Sequence, residues 1–183
     1  MKINGKSVYL KSLSIKDSYF IYNLRKKKKI SLYLHSPPKK INDQKNWIKD
    51  NIKKKETLDF VIICKKTQKK IGTIGFDKIN KFSAEWGRWI SLGSTIQNIE
   101  AIIILLNYGF NYLKLKKIYS LTNKNNNKVV NFHRKTTAKY DGIKKSLFLI
   151  NKKKVDAVKY TFTKKKFREF EKNFNFISQS ILQ

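Results

Sequence analysis

SAEWGRWISLGSTIQNIEAIIILLNYGFNYL, residues 83–113, holds a strand, a turn and a helix in direct succession. Ser83 to Ser91 reads as a strand rich in aromatic and β-branched residues. Leu92 to Thr95 is a small polar turn, and Ile96 to Leu113 is apolar nearly all round, which predicts a buried helix that the rest of the chain must wrap. A strand running through a tight turn into a helix is an arrangement that grips phosphates, because amides at a helix start point outward and the dipole favours anions. Several glycines usually line such a turn, but here Gly93 stands alone. Two readings are open at this point: a phosphate loop, or an ordinary N-cap turn on a core helix.

Upstream, Val8 to Leu10 predicts a first strand, and the cap-like Ser14 of SIKD opens a helix to about Lys28. Pro37 and Pro38 in LHSPPKKIND break regularity, and a second helix follows from about Asp43 to Lys54, with Trp47, Ile48 and Ile52 near one face. Leu58–Cys64 and Ile71–Phe76 pair as a hairpin around the charged turn KKTQKK, with Ser83–Ser91 as a third adjacent strand. Downstream come a strand at Lys117–Leu121, a short helix over NNNKVVNFHRK, and a closing hairpin of Ser146–Ile150 with Val155–Thr161. No repeat or linker divides the chain, which predicts one domain over 1–162 followed by a charged helix or tail over 163–183.

Composition narrows the function classes. At 183 residues, with twelve Phe, nine Tyr and three Trp, the chain is long and apolar enough to fold around a sizeable core. No run of eighteen apolar residues and no apolar N-terminal leader is present, so the expected location is cytoplasmic, without a membrane span. The single Cys64 lies in the apolar run FVIIC, which excludes a disulfide framework within one chain and reads as a small core residue. A net charge of +30 raises nucleic acid as a partner. Only four of the 42 basic residues are Arg, however, and the lysine excess travels with Asn and Ile, the pattern of an AT-rich coding sequence. No zinc-finger spacing or RNA-recognition signature accompanies it. The summed field still attracts phosphate-bearing small molecules.

The order strand, two helices, three meandering strands, buried helix, strand, helix and two strands is carried by NDQKNWIKD (42–50), IGTIGFDKIN (71–80), SAEWGRWIS (83–91), EAIIILLNYGFNYLKLKKIYS (100–120), NNKVVNFH (126–133), KYDGI (139–143) and VDAVKY. In this order the chain resembles the GNAT acetyltransferases over about residues 8–162, in the branch that holds ribosomal-protein (RimJ/RimL-like) and amino-sugar acetyltransferases. The resemblance implies an α+β fold, a central mostly antiparallel mixed sheet flanked by helices. It also implies acetyl transfer from acetyl-CoA to a primary amine, with no metal. In the family, Ser94, Ile96 and Asn98 are positions where glycines usually stand. The resemblance makes Gly93, Ser94, Thr95, Ile96, Gln97 and Asn98 the pyrophosphate loop, Trp89, Ile90 and Ser91 the strand against the pantetheine arm, and Asn126 a further cofactor contact.

Within that frame His133 occupies the place of the family's Tyr acid, where a group with a proton near neutral pH serves the departing thiolate. A contact with the adenine, or simple packing, is the alternative, and Thr137-Ala138 replaces the usual Gly-Phe just beyond. Glu85 is either the base that relays the ammonium proton or a cross-strand partner for a lysine. Glu85 and Arg88 lie three positions apart, an odd number, so in a regular strand they face opposite sides. His35, Trp47, Asp156 and Tyr160 are candidates for the acceptor pocket, although a core place for Trp47 and a loop place for His35 are the plainer readings. The expected acceptor is the amine of a nucleotide-linked amino sugar, ahead of a protein N-terminus; a homodimer is compatible with either. A degenerate copy with weak cofactor binding, or a basic RNA-associated protein, are the competing non-enzymatic readings.

Overall fold

The computed structural model describes residues 1–150 and 152–181. Eight strands form one sheet in the order β1-β2-β3-β4-β5-β6-β8-β7. They are β1 (Lys2–Asn4), β2 (Val8–Ser12), β3 (Leu58–Cys64), β4 (Lys70–Asp77), β5 (Ser83–Ser91), β6 (Lys117–Asn123), β7 (Lys139–Ile150) and β8 (Lys153–Thr163). Helices are α1 (Ser18–Lys26), α2 (Lys28–Ser31), α3 (Ile41–Asn51), α4 (Thr95–Asn107), α5 (Asn127–Arg134) and α6 (Lys164–Ile181). Every neighbouring pair is antiparallel except β5 and β6, which α4 connects as a crossover and which are therefore parallel. The α+β expectation holds.

β3 shows why residues 60–64 read FVIIC without polar interruption. Its alternate residues serve two cores: Phe60 and Ile62 face α4 and α6, while Val61 and Ile63 pack with Ile21 of α1 and Ile48 of α3. A strand covered on both faces has no polar side to display.

Three local expectations change. The first strand is preceded by β1, with which β2 forms a hairpin around Gly5. The helix expected from Ser14 to Lys28 is a 3-10 turn (Ile15–Asp17), then α1, then the separate α2. The long apolar helix runs as α only to Asn107 and closes as a π turn over Tyr108–Tyr112. Gly109 in that turn is a close approach to the sheet, since a Cβ there would lie 2.6 Å from Ile118 and 2.8 Å from Phe76. Residues 164–181 form α6, whose Phe167 and Phe170 join the main core, stacking on Phe110 and tilting against Phe162. No helix among the described residues is long and apolar enough to cross a membrane.

α4 is pinned at mid-length by a carboxylate. Buried Glu100 accepts hydrogen bonds from the Lys6 amide and from the amide (2.9 Å) and hydroxyl of Ser7, satisfying the β1–β2 turn. Hydrogen bonds to a charged group contribute about 1.5–3 kcal/mol. Glu100→Ala is therefore expected to lower unfolding stability in urea by about 2–3 kcal/mol, while Glu169→Ala, at an exposed pair with Lys166, changes it by less than about 0.5 kcal/mol.

Candidate active site

β5 and β6 pair only over Ser83–Glu85 with Lys117–Tyr119 and then part. On its other edge β5 carries a bulge. Thr73 pairs with Ile90 and Gly75 with Gly87, so Arg88 and Trp89 together oppose Ile74 alone. Arg88 takes φ +49°, the left-handed region, which an L residue enters at a cost of about 1–2 kcal/mol. The extra residue reverses the facing of the strand beyond it. Trp86 and Trp89, three apart, consequently lie on one side with ring centroids 6.1 Å apart. The parity expectation for Glu85 and Arg88 fails for the same reason: Glu85 pairs across with Asp77, and Arg88 reaches Asp77 at 3.0 Å from the same face.

On that face Arg88 is the centre of a polar cluster. It bonds Asp59 at 2.6 Å and Asn51 at 2.8 Å, and its guanidinium lies 5.4 Å from the Trp47 ring centroid. Trp47 is 42% exposed, not a core residue, and Ile52 is exposed too; α3 buries Gln44, Ile48 and Asn51 instead. Burial pushes the Asp59 carboxyl up, against the lowering influence of Arg88 and Asn51. Glu85 pairs with Lys78 at 2.8 Å, the lysine-partner arrangement anticipated for it. Gly87, between Glu85 and Arg88, faces open space: a Cβ there would meet nothing within 4 Å.

The opposite face of the parting is aromatic. His133, 1% exposed, stacks on Tyr160 at 5.0 Å and 10°, with Trp86 and Phe132 each 5.5 Å away, while Phe132 meets Trp89 at 5.7 Å. His133 Nε2 lies 3.2 Å from the Ser120 hydroxyl. Burial pushes its pKa down to about 4, so the ring is neutral at pH 7. Three buried polar atoms here have no hydrogen-bond partner: Trp86 Nε1, Trp89 Nε1 and His133 Nδ1. Buried polar groups are nearly always paired, so three orphans on adjoining rings are a departure that asks for a cause.

At the head of the parting, the start of α4 is drawn in tightly by its own side chains. The Ser94 amide bonds Gln97 Oε1 (2.9 Å), the Gln97 amide bonds Ser94 Oγ (3.3 Å), and the Gly93 amide bonds Ser91 Oγ (3.0 Å). Asn98 donates to the Gly93 carbonyl at 3.0 Å, and its own amide is already helical, bonded to Ser94. Of the loop's amides, those of Thr95 and Ile96, the first helical positions, are left without an intrahelical acceptor. Ile90 lies in β5 opposite Thr73. Cys64 is buried, its sulfur accepting from Gln97 Nε2 at 3.3 Å. Asn126 caps α5, accepting from the Val129 amide at 3.3 Å.

The remaining candidates are separated. Tyr160 is buried beneath His133 and does not edge an open pocket. His35 accepts from or donates to nothing near β5; its Nδ1 lies 3.1 Å from the Leu149 carbonyl, and its ring meets Phe148 edge-on, tying the loop before α3 to β7. Asp156 is occupied by Lys145 at 3.3 Å and by the Ser146 amide at 3.0 Å, which hold its carboxyl below the usual range. Sequence reasoning missed Asp59, Asn51 and Asp77. A lone Asp in the apolar run LDFVIIC was the available signal. No cluster of metal-ligating side chains occurs among the described residues.

Residues 7–139 match the family model described as an acetyltransferase (GNAT) domain. No curated protein matches the sequence. Among solved structures, a GCN5-related N-acetyltransferase from Brucella melitensis is similar with a TM-score of 0.84 at 14% identity, over 96% of this chain and 84% of that one. FdhC, a nucleotide-linked sugar GNAT, is similar at 25% identity and a TM-score of 0.77, over 96% and 97%. The spermidine N-acetyltransferase from Vibrio cholerae, in complex with CoA and spermine, is similar at 23% identity and a TM-score of 0.78, over 90% and 99%. With the family model spanning most of the chain and the parted parallel strands at its centre, the chain belongs to the GNAT acetyltransferases, acetyl-CoA-dependent enzymes that transfer an acetyl group to an amine.

Proposed function

We propose that this enzyme acetylates the primary amine of a nucleotide-linked amino sugar. The observation that carries the transfer site is the trio of unpartnered polar atoms on Trp86, Trp89 and His133 where β5 leaves β6. A pantetheine arm with its amides fits that need: the indole N–H groups donate to its carbonyls. The Thr95 and Ile96 amides take the pyrophosphate, with Ser94 and Thr95 hydroxyls as further donors and Gly93, Gln97 and Asn98 shaping the turn. Ile90, Ser91 and Asn126 border the same path.

Bound acetyl-CoA supplies a thioester, an acyl group activated toward an amine. The chain's own residues do the rest. The amine approaches over Gly87, where the backbone leaves open space. It attacks only when neutral, so one proton leaves the ammonium first; the C–N bond then forms, the C–S bond breaks, and the second proton leaves the nitrogen to solvent, which in turn protonates the thiolate. Glu85, paired with Lys78, receives that first proton directly or through water. His133 is too acidic a base to be imidazolium at pH 7. Its part is to donate a hydrogen bond from Nδ1 to the departing sulfur while Ser120 donates to Nε2, and solvent delivers the final proton.

The acceptor assignment rests on charge. At +30 the protein repels a polycation and attracts an anion. The carboxylates nearest Gly87 are also taken: Asp59 and Asp77 by Arg88, Glu85 by Lys78. The similarity to FdhC over nearly the whole of both chains supports the same reading.

Acetyl-CoA is expected to raise the melting temperature, while ATP at equal concentration gives a smaller rise that salt removes. An equal, salt-sensitive rise with both would sink the cofactor site. With CoA thiol release as the readout, a nucleotide-linked amino sugar should outpace spermidine and an N-terminal peptide, and Glu85→Gln should lower kcat by about 10²-fold. Turnover with spermidine alone would overturn the acceptor assignment.

His133 also sets a pH dependence. Its folded pKa of about 4 lies below its unfolded value near 6.5, so the unfolded chain binds the extra proton between those limits. Stability is full above pH 6.5 and falls, from this group, by about 3 kcal/mol as pH drops to 4. His133→Phe should remove that share of the acid limb, read as the difference between the two urea stability–pH curves.

A further inference from the structure

The sheet carries a row of aligned residues on the face that holds Glu85. Asp77 pairs with Glu85, Glu85 with Tyr119, Tyr119 with Thr161, and Thr161 with Lys139. On the far half of this row, over β6, β8 and β7, lies a cavity of about 520 Å³. Lys117, Lys139, Lys159 and Lys166 line it with Asp141 as the single carboxylate, a local charge of four less one, or +3. Asp141 is partly used, accepting from the Thr161 hydroxyl at 2.5 Å and lying 3.7 Å from Lys139. Lys166 pairs with Glu169, but Lys117 and Lys159 make no ion pair among the described residues. Lys159 instead lies 4.8 Å over the Tyr119 ring, which shares the floor.

Unneutralised ammonium groups converging on a concave surface select a compact polyanion. Tyr119 and Thr161 are one and two strands from Glu85, about 5 and 10 Å at the usual spacing. That is the span of one hexose ring between a proton acceptor at its amine and an anion at its anomeric carbon. We propose that this lysine cavity seats the diphosphate of the acceptor, fixing the sugar so that its amine falls beside Glu85. The proposal deepens the amino-sugar reading above and rests on it for the identity of the acceptor. The cavity is distinct from the α4 N-terminus assigned to the cofactor, which lies beyond the other end of β5.

The test is a calorimetric titration of UDP into the full chain, with and without saturating acetyl-CoA. UDP should bind in both cases, and uridine, lacking phosphates, in neither. Lys117→Glu/Lys159→Glu should weaken UDP at least about tenfold, by loss of charge-assisted bonds. Lys53→Glu/Lys54→Glu, an equal charge change at exposed residues after α3, should weaken it less than about twofold at 0.15 M salt, because exposed charges beyond the Debye length are screened. Any of four results would overturn the cavity: no UDP binding, equal losses in the two variants, displacement of UDP by acetyl-CoA, or a uridylate oligomer binding more tightly than UDP with a steeper salt dependence, which would assign the lysines to a nucleic-acid backbone. The two readings separate cleanly. An acetyl-CoA melting shift without cavity-dependent UDP binding removes the cavity alone, whereas cavity-dependent UDP binding without that shift removes the transfer reading and leaves the anion site.

Discussion

Parallel pairing between β5 and β6 lasts only from Ser83 to Glu85, and what the protein does follows from its failure beyond that point. A sheet that parts exposes backbone and leaves buried polar atoms without partners, which is costly unless something else fills the gap. Here α5 closes part of it with Phe132 and His133, and Trp86 Nε1, Trp89 Nε1 and His133 Nδ1 are left beside it without partners. The bulge at Arg88 is the other half of the device. By inserting one residue into β5 it leaves Trp86 and Trp89 on one side of the strand and Arg88 on the α3 face.

The strained backbone at Arg88 is held by what its side chain does. A left-handed conformation at a non-glycine residue persists only where surroundings over-determine it. Asp59, Asn51 and Asp77 converge on one guanidinium, and Gly75 leaves room for them by having no Cβ next to Asp59. The cluster is therefore a support for the bulge. It also explains an apparent conflict: burial raises Asp59 although an arginine touches it, because only Oδ2 is bonded and Oδ1 is buried alone.

Much of the fold was legible because its signals are local. Ser83–Ser91 was read at its true bounds, and the apolar stretch after Thr95 could only be a wrapped helix. What escaped was long-range or subtle by a single residue. β1 is a three-residue strand whose reason for existing is its pairing to β2 and the Glu100 carboxylate above its turn. The bulge is invisible to a period-two count, since nothing in WGRW says which residue is extra, and so the facing of Arg88 was misread. Trp47 was taken for core on its chemistry, yet a cation beside it makes an exposed indole useful. His133 stands out by resemblance, at the place of the family's Tyr, but its neutrality follows from neighbours on β5, β6 and β8 that no spacing rule assembles.

All three tryptophans of the chain stand around the parting: Trp47 in the open beside Arg88, Trp86 and Trp89 enclosed against α5. The molecule thus carries its own optical reporter, with no indole elsewhere to dilute it. Emission from the water-exposed ring lies to the red of emission from the enclosed pair. The two ends of the spectrum accordingly report separately on the two faces of β5, the α3 side through Trp47 and the α5 side through Trp86 and Trp89.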